Sequence, residues 1–167
     1  YNAGTASKEF TIAKADITPV VSIEDWSFGG KAKAPSVSGN TENGTVTYKY
    51  KLNGADDKTY SAEVPTAAGT YVVKAEIAGT TNYNAGTAEK EFTVAKRQLK
   101  ITADKAGKVY GTADPALTYT LEGTLVGEDT ITGSLTREKG DNTGEYTIGQ
   151  GTLTAGDNYA IEFVSDK

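Results

Sequence analysis

Few residues in this chain have the types and spacing that catalysis or ligand capture would need. It contains no His and no Cys, so a histidine base, a thiol nucleophile, a disulfide framework and a Cys-based metal site are all excluded. What remains is carboxylate, amine and aromatic chemistry. Asp56 and Asp57, and again Glu128 and Asp129, are adjacent acids of the kind that supply oxygen ligands to a hard cation. Neither pair is followed by acidic residues at the second and fourth positions beyond it, so both read as solvated turns and no metal or cofactor is expected. Paired carboxylates acting as acid and base would have to converge in a cleft; here they fall in turns or on exposed strand faces, and the expectation is that the chain is not an enzyme.

Trp26, the only tryptophan, lies two residues before Phe28. The pair could stack against a sugar ring, or pack into a core as large aromatics commonly do. Lys100 and Asn158, on the first and last strands of the second half, are nominal partners for an isopeptide bond. That chemistry needs a buried acid beside them, and no acidic position is marked by an apolar setting. Asn43-Gly44-Thr45 fits the glycosylation acceptor pattern, but a tight Asn-Gly turn explains it fully.

The elements that must hold these residues are strands. Residues 45–52 (TVTYKYKL) alternate strictly and place Val46, Tyr48, Tyr50 and Leu52 on one face. Residues 71–77 and 88–95 alternate in the same way, with Tyr71, Val73, Ala75 and Ile77, then Phe92 and Val94, directed inward. A shorter strand is expected over residues 60–64. Gly, Asn, Asp and Thr interrupt the chain every eight to twelve residues, and no sustained helical period of apolar residues occurs, which is the pattern of an all-β fold.

Repetition organises the whole. Residues 1–14 (YNAGTASKEFTIAK) recur at 83–96 (YNAGTAEKEFTVAK), differing only at Ser7/Glu89 and Ile12/Val94. A second, divergent repeat relates the two halves. Phe28-Gly29 is answered by Tyr110-Gly111, Pro35 by Pro115, Gly69-Thr-Tyr71 by Gly144-Glu-Tyr146, and Asn82-Tyr83 by Asn158-Tyr159. On alternation, residues 117–121 match the Tyr48/Tyr50 strand. The expected division is therefore 1–14 as the closing strand of a preceding repeat, 15–96 as a first module and 97–167 as a second. Each module is expected to be a small immunoglobulin-like β-sandwich in which Tyr71 and Tyr146 are corner tyrosines bonded back to the preceding backbone. A β-grasp, with a helical turn over residues 124–130, is the alternative. The net charge of −5 with interspersed signs argues against nucleic acid as partner, and no apolar run is long enough to insert in a membrane.

Residues 97–164 resemble the MBG domain of the YGX type, through YGTADPALTY (110–119), GSLTRE (133–138), GEYTIGQGTL (144–153) and Asn158-Tyr159. Residues 15–96 are similar to related tandem repeats that precede such modules in surface proteins of gut Firmicutes, with Phe28-Gly29 in place of the Tyr-Gly. The resemblance implies a repeat module of a large bacterial surface protein or adhesin, extracellular and either attached to the cell wall or secreted. It implies a structural spacer role, or adhesion to host glycan or protein through residues such as Trp26 and Phe28. Neighbouring repeats of the same parent chain are the implied partners, and no catalytic or cofactor-binding residues are carried over.

Overall fold

The structure is a computed structural model that describes residues 4–166. Eleven strands form in it: β1 (Val20–Ser22), β2 (Trp26–Ser27), β3 (Ser36–Ser38), β4 (Val46–Leu52), β5 (Gly69–Ile77), β6 (Gly86–Ala95), β7 (Arg97–Ala103), β8 (Tyr119–Glu122), β9 (Thr136–Arg137), β10 (Ile148–Gly149) and β11 (Tyr159–Val164). Single 3-10 turns at Thr41–Asn43 and Asp57–Thr59 are the helical elements among the described residues. The protein is all-β. The strands are arranged as β1-β3, β10-β9, β11-β7-β8 and β2-β6-β5-β4.

Two compact units divide the chain. The first holds the residues up to Glu24 with Ala34–Val64 and Tyr71–Phe92; the second holds Asp25–Lys33, Pro65–Thr70 and everything from Thr93 onward. In the first unit β4 and β5 pair antiparallel over seven residues, from Val46↔Ile77 to Leu52↔Tyr71. Alternation decides which side chains face inward. Val73, Ala75 and Ile77 on β5 are buried with Tyr50 and Phe92, and the Phe92 ring lies edge-on to Tyr50 and stacked on Tyr71. Leu52, expected inward, is exposed because it ends the ladder. The strand expected over residues 60–64 reduces to one bridge, Tyr50↔Ser61.

In the second unit β7 is central. Leu99, Ile101 and Ala103 alternate inward, β8 pairs antiparallel on one side, and β11 pairs parallel on the other over six residues, from Arg97↔Tyr159 to Thr102↔Val164. Ile101 and Ala103 join Leu135, Ile148 and Leu153 in a core flanked by Leu117, Tyr119, Leu121, Ile131, Ile161 and Phe163. Residues 124–130 form no helix; Asp129 N–H closes a turn on the Val126 carbonyl at 3.1 Å. That removes the helical element on which the β-grasp alternative rested.

Strand pairing shows how the two halves correspond. Ala15 pairs parallel with Tyr83 as Arg97 pairs with Tyr159. In both cases the N–H of the opening residue donates at 2.9 Å to the carbonyl of the asparagine before the tyrosine, Ala15 to Asn82 and Arg97 to Asn158. β1 pairs with β3 at Val21↔Val37, and β7 pairs with β8 at Ala103↔Tyr119, both residues displaced by the spacing that separates Phe28 from Tyr110. The counterpart of β8 is thus β3, not the Tyr48/Tyr50 strand that alternation alone suggests. The counterpart of β4·β5 is the short antiparallel pair β9·β10.

Residues 4–14 form no strand. The reading of residues 1–14 as a closing strand falls partly on residues 1–3, which lie outside the described residues. Phe10 and Ile12 are 85% and 83% exposed, whereas Phe92 and Val94, which occupy the same places in the repeated sequence, are 2% and 1% exposed. A strand needs a neighbour to satisfy its N–H and C=O groups and to cover its apolar face. Residues 86–95 have one in β5, and residues 4–14 have none in this fold.

Candidate functional site

The aromatic residues singled out from sequence lie in the second unit, at a corner formed by residues 25–33. Trp26 is 8% exposed and pairs in parallel with Val94. Asp25 Oδ1 accepts the Thr93 N–H at 2.7 Å, and Phe28 N–H donates to the Ala95 carbonyl at 2.8 Å, so the corner is sewn to the end of β6 on both sides of the indole. The indole is a core element, and a buried face offers no platform for stacking a sugar. Phe28 packs its ring edge-on against Tyr159, with centroids 5.4 Å apart. Gly29, at φ +72°, leaves the backbone against Val126, whose Cγ2 a Cβ would overlap.

Tyr159 is the hub opposite this corner. Its hydroxyl accepts the Val126 N–H at 2.7 Å and donates to Asp129 Oδ2 at 2.6 Å. Burial, and then the hydrogen bond to Asp129, push the phenol pKa up from its ordinary value. Arg97 completes the loop's anchorage, with Nε donating to the Thr124 carbonyl and Nη2 to Thr124 Oγ1. Asn158 Oδ1 accepts the backbone N–H of Ala68 at 2.9 Å.

Three of the four acids in the two adjacent pairs are engaged by the chain itself. Asp56 caps the turn at Lys58 N–H, Asp57 takes Lys51, and Asp129 is committed to Tyr159. No group of three or more potential metal ligands is present among the described residues. Lys100 Nζ donates to Glu122 Oε1 at 2.9 Å, so it and Asn158 engage different partners. A hollow of about 170 Å³ lined by residues 12–15 and 81–83 is small beside the roughly 300–1,000 Å³ of sites that enclose organic ligands.

The densest polar network in the second unit surrounds Asp114. Arg137 reaches it with two parallel bonds, Nε to Oδ2 at 2.9 Å and Nη2 to Oδ1 at 3.0 Å, and Lys108 Nζ lies 2.7 Å from Oδ1. The hydrogen bonds from Arg137 and then Lys108 hold the carboxyl pKa down at about 2. The Arg137 Nη1 also donates to the Glu138 and Gly140 carbonyls, and its guanidinium lies over the Tyr146 ring. Tyr146 Oη in turn donates to the Asn142 carbonyl at 2.9 Å, four residues upstream. Tyr71 stacks on Phe92. Asp114 and Arg137 were visible in the sequence only inside the family motifs YGTADP and GSLTRE, because nothing local says that two residues so far apart in the chain will meet.

This network ties the Tyr-Gly turn, residues 108–114, to the turn that precedes β10. Residues 99–167 match the family model of the MBG domain, YGX type. The match covers the MBG-like second repeat from its opening strand onward, and it suggests a repeat module of surface proteins. Among curated proteins and solved structures nothing matches the chain.

Proposed function

We propose that this chain is a pair of structural spacer repeats, small immunoglobulin-like modules from a bacterial surface protein, whose work is to hold distance under load rather than to catalyse. The observation that carries this reading is the parallel pairing of the first and last strands of the second repeat, β7 with β11, over six residues. Tension applied to the two ends of that repeat pulls these strands in opposite directions along their length. All bonds of the ladder then share the load at once, whereas an antiparallel terminal hairpin would open one bond at a time. The parallel Ala15↔Tyr83 bridge starts the same arrangement in the first repeat. The MBG match of residues 99–167 supports a place outside the cell, and the side chains of the network around Asp114 serve to fix a turn.

Single-molecule pulling between the chain ends tests this. The expected record shows discrete force peaks, each releasing on the order of 200 Å of chain per repeat at roughly 3.3–3.6 Å per residue. Extension without peaks would refute the load-bearing role. The alternative, adhesion to host glycan or protein, gains support if the chain binds members of a glycan or extracellular-matrix protein panel; with Trp26 buried, such binding would have to use other residues.

A further inference from the structure

In the second unit two short segments of the first repeat, Asp25–Lys33 and Pro65–Thr70, pack among residues of the second. Three contacts hold them there: the Phe28 ring on Tyr159, Gly29 against Val126, and Ala68 N–H on Asn158 Oδ1. All three receiving residues belong to the Asn-Tyr turn or to the loop that its tyrosine hydroxyl fastens.

Both segments have counterparts in the second repeat. Tyr110-Gly111 corresponds to Phe28-Gly29, and Thr143-Gly144 precedes Tyr146 as Ala68-Gly69 precedes Tyr71. The counterparts are held side by side, since Arg137 bonds Asp114 in one turn and the Gly140 carbonyl in the other, and Lys108 lies 3.9 Å from Asp141. Yet they cover nothing. Tyr110 is 71% exposed, Val109 is 75% exposed, Thr143 is exposed, and the positions where a Cβ would sit on Gly111 and Gly144 have no atom within 4 Å. An exposed aromatic beside an exposed valine, on a turn that a bidentate Arg–Asp pair keeps in shape, has the form of a prepared contact surface.

We infer that residues 108–114 and 141–144 form a docking surface for the Asn-Tyr turn of another repeat of this kind. The Tyr110 ring takes the edge of that repeat's tyrosine, Gly111 admits the valine of its loop, and the Thr143 N–H meets its asparagine side chain. The aromatic-Gly corner is then the joint of a tandem array, and the presence of both corner and Asn-Tyr turn in each repeat is what lets one joint follow another. This rests on the spacer reading, but separates from it: a chain that unfolds in force peaks while the surface around Tyr110 stays open would sink the docking and leave the spacer intact.

The test extends the full chain by a further copy of residues 97–167 joined after Lys167. Amide hydrogen exchange is then compared with that of the 167-residue chain. Gly111 and Thr143 are expected to exchange at least about tenfold more slowly in the extended chain, and Tyr110→Ala should return them to the unextended rates. Unchanged exchange at both amides, or an added repeat that fails to fold on this surface, overturns the proposal. In the unextended chain Phe28→Tyr, which writes the second repeat's corner into the first, should leave the melting temperature unchanged. A cooperative loss of the second unit in that variant would show that the two corners are not equivalent and would also overturn it.

Discussion

The sharpest prediction uses the repeated peptide, because the same phenylalanine occurs in it twice. Phe92 is 2% exposed and lies edge-on to Tyr50, with ring centroids 6.1 Å apart, and stacked on Tyr71 at 5.8 Å. Phe10, in the matching place of residues 4–14, is 85% exposed. Phe92→Ala removes a buried ring together with two aromatic contacts and leaves a cavity that β5 on one side can only partly close. The cost expected is about 3–5 kcal/mol, a large share of the ~5–15 kcal/mol that stabilises an ordinary domain. At roughly 4–8 °C per kcal/mol for a domain of this size, the melting temperature of the first unit should fall by more than about 10 °C. Phe10→Ala removes a ring that touches water on nearly every side and should change stability by less than about 0.5 kcal/mol. Scanning calorimetry of the two variants beside the parent chain measures both shifts. Equal losses, or a loss above about 1 kcal/mol for Phe10→Ala, would mean that residues 4–14 are packed in solution and would refute the account of burial given above.

Asp114 has its carboxyl pKa depressed to about 2 by Arg137 and Lys108, so its contribution is fully present above the ordinary carboxylate range near 4 and is lost as the pH falls from there through about 2. Melting temperatures recorded in steps between pH 5 and pH 2 should therefore drop more steeply for the parent chain than for Asp114→Asn, and parallel curves would contradict the assignment. Gly29→Ala should destabilise the second unit more than Gly111→Ala does, because both introduce a Cβ at positive φ but only the first drives it into Val126; the order of the two denaturant midpoints decides this. Tyr159→Phe removes the acceptor for the Val126 N–H and the donor to Asp129, and should speed hydrogen exchange at Val126 while leaving the β7 amides protected. Exchange at Val126 that stays as slow as in the parent chain would show that the loop holds its place without the hydroxyl.

Much of the architecture was legible in residue order. Alternation over residues 45–52, 71–77 and 88–95 marked strands, and the landmarks Phe28/Tyr110, Tyr71/Tyr146 and Tyr83/Tyr159 marked two copies of one unit, because the period of two and the turn residues act over a few neighbouring positions. The motifs YGTADP, GSLTRE and GEY were enough to point to the MBG family model that residues 99–167 match. Pairing was not legible. A strand's faces are set by its own residues, but its neighbour is chosen by closure of the whole sheet, so β8 proved the counterpart of β3 rather than of β4, and the strand expected over residues 60–64 shrank to a single bridge.

For the same reason the surroundings of the aromatic corner could not be read from its composition. Trp26-Ser-Phe28-Gly29 favours a packed anchor over a surface platform by its composition, but what it packs against is set only once Val94, Ala95 and Tyr159 are placed around it. By itself the sequence marked the strands over residues 45–52, 71–77 and 88–95, the repeat, and the likeness of residues 99–167 to the MBG domain; the tertiary structure decided which copy of each repeated element is covered. Phe92 and Phe10 share a peptide and differ only in having a strand alongside, and Phe28 and Tyr110 share a corner and differ only in having an Asn-Tyr turn to meet. Burial depends on residues distant in the chain, and no local pattern encodes their arrival.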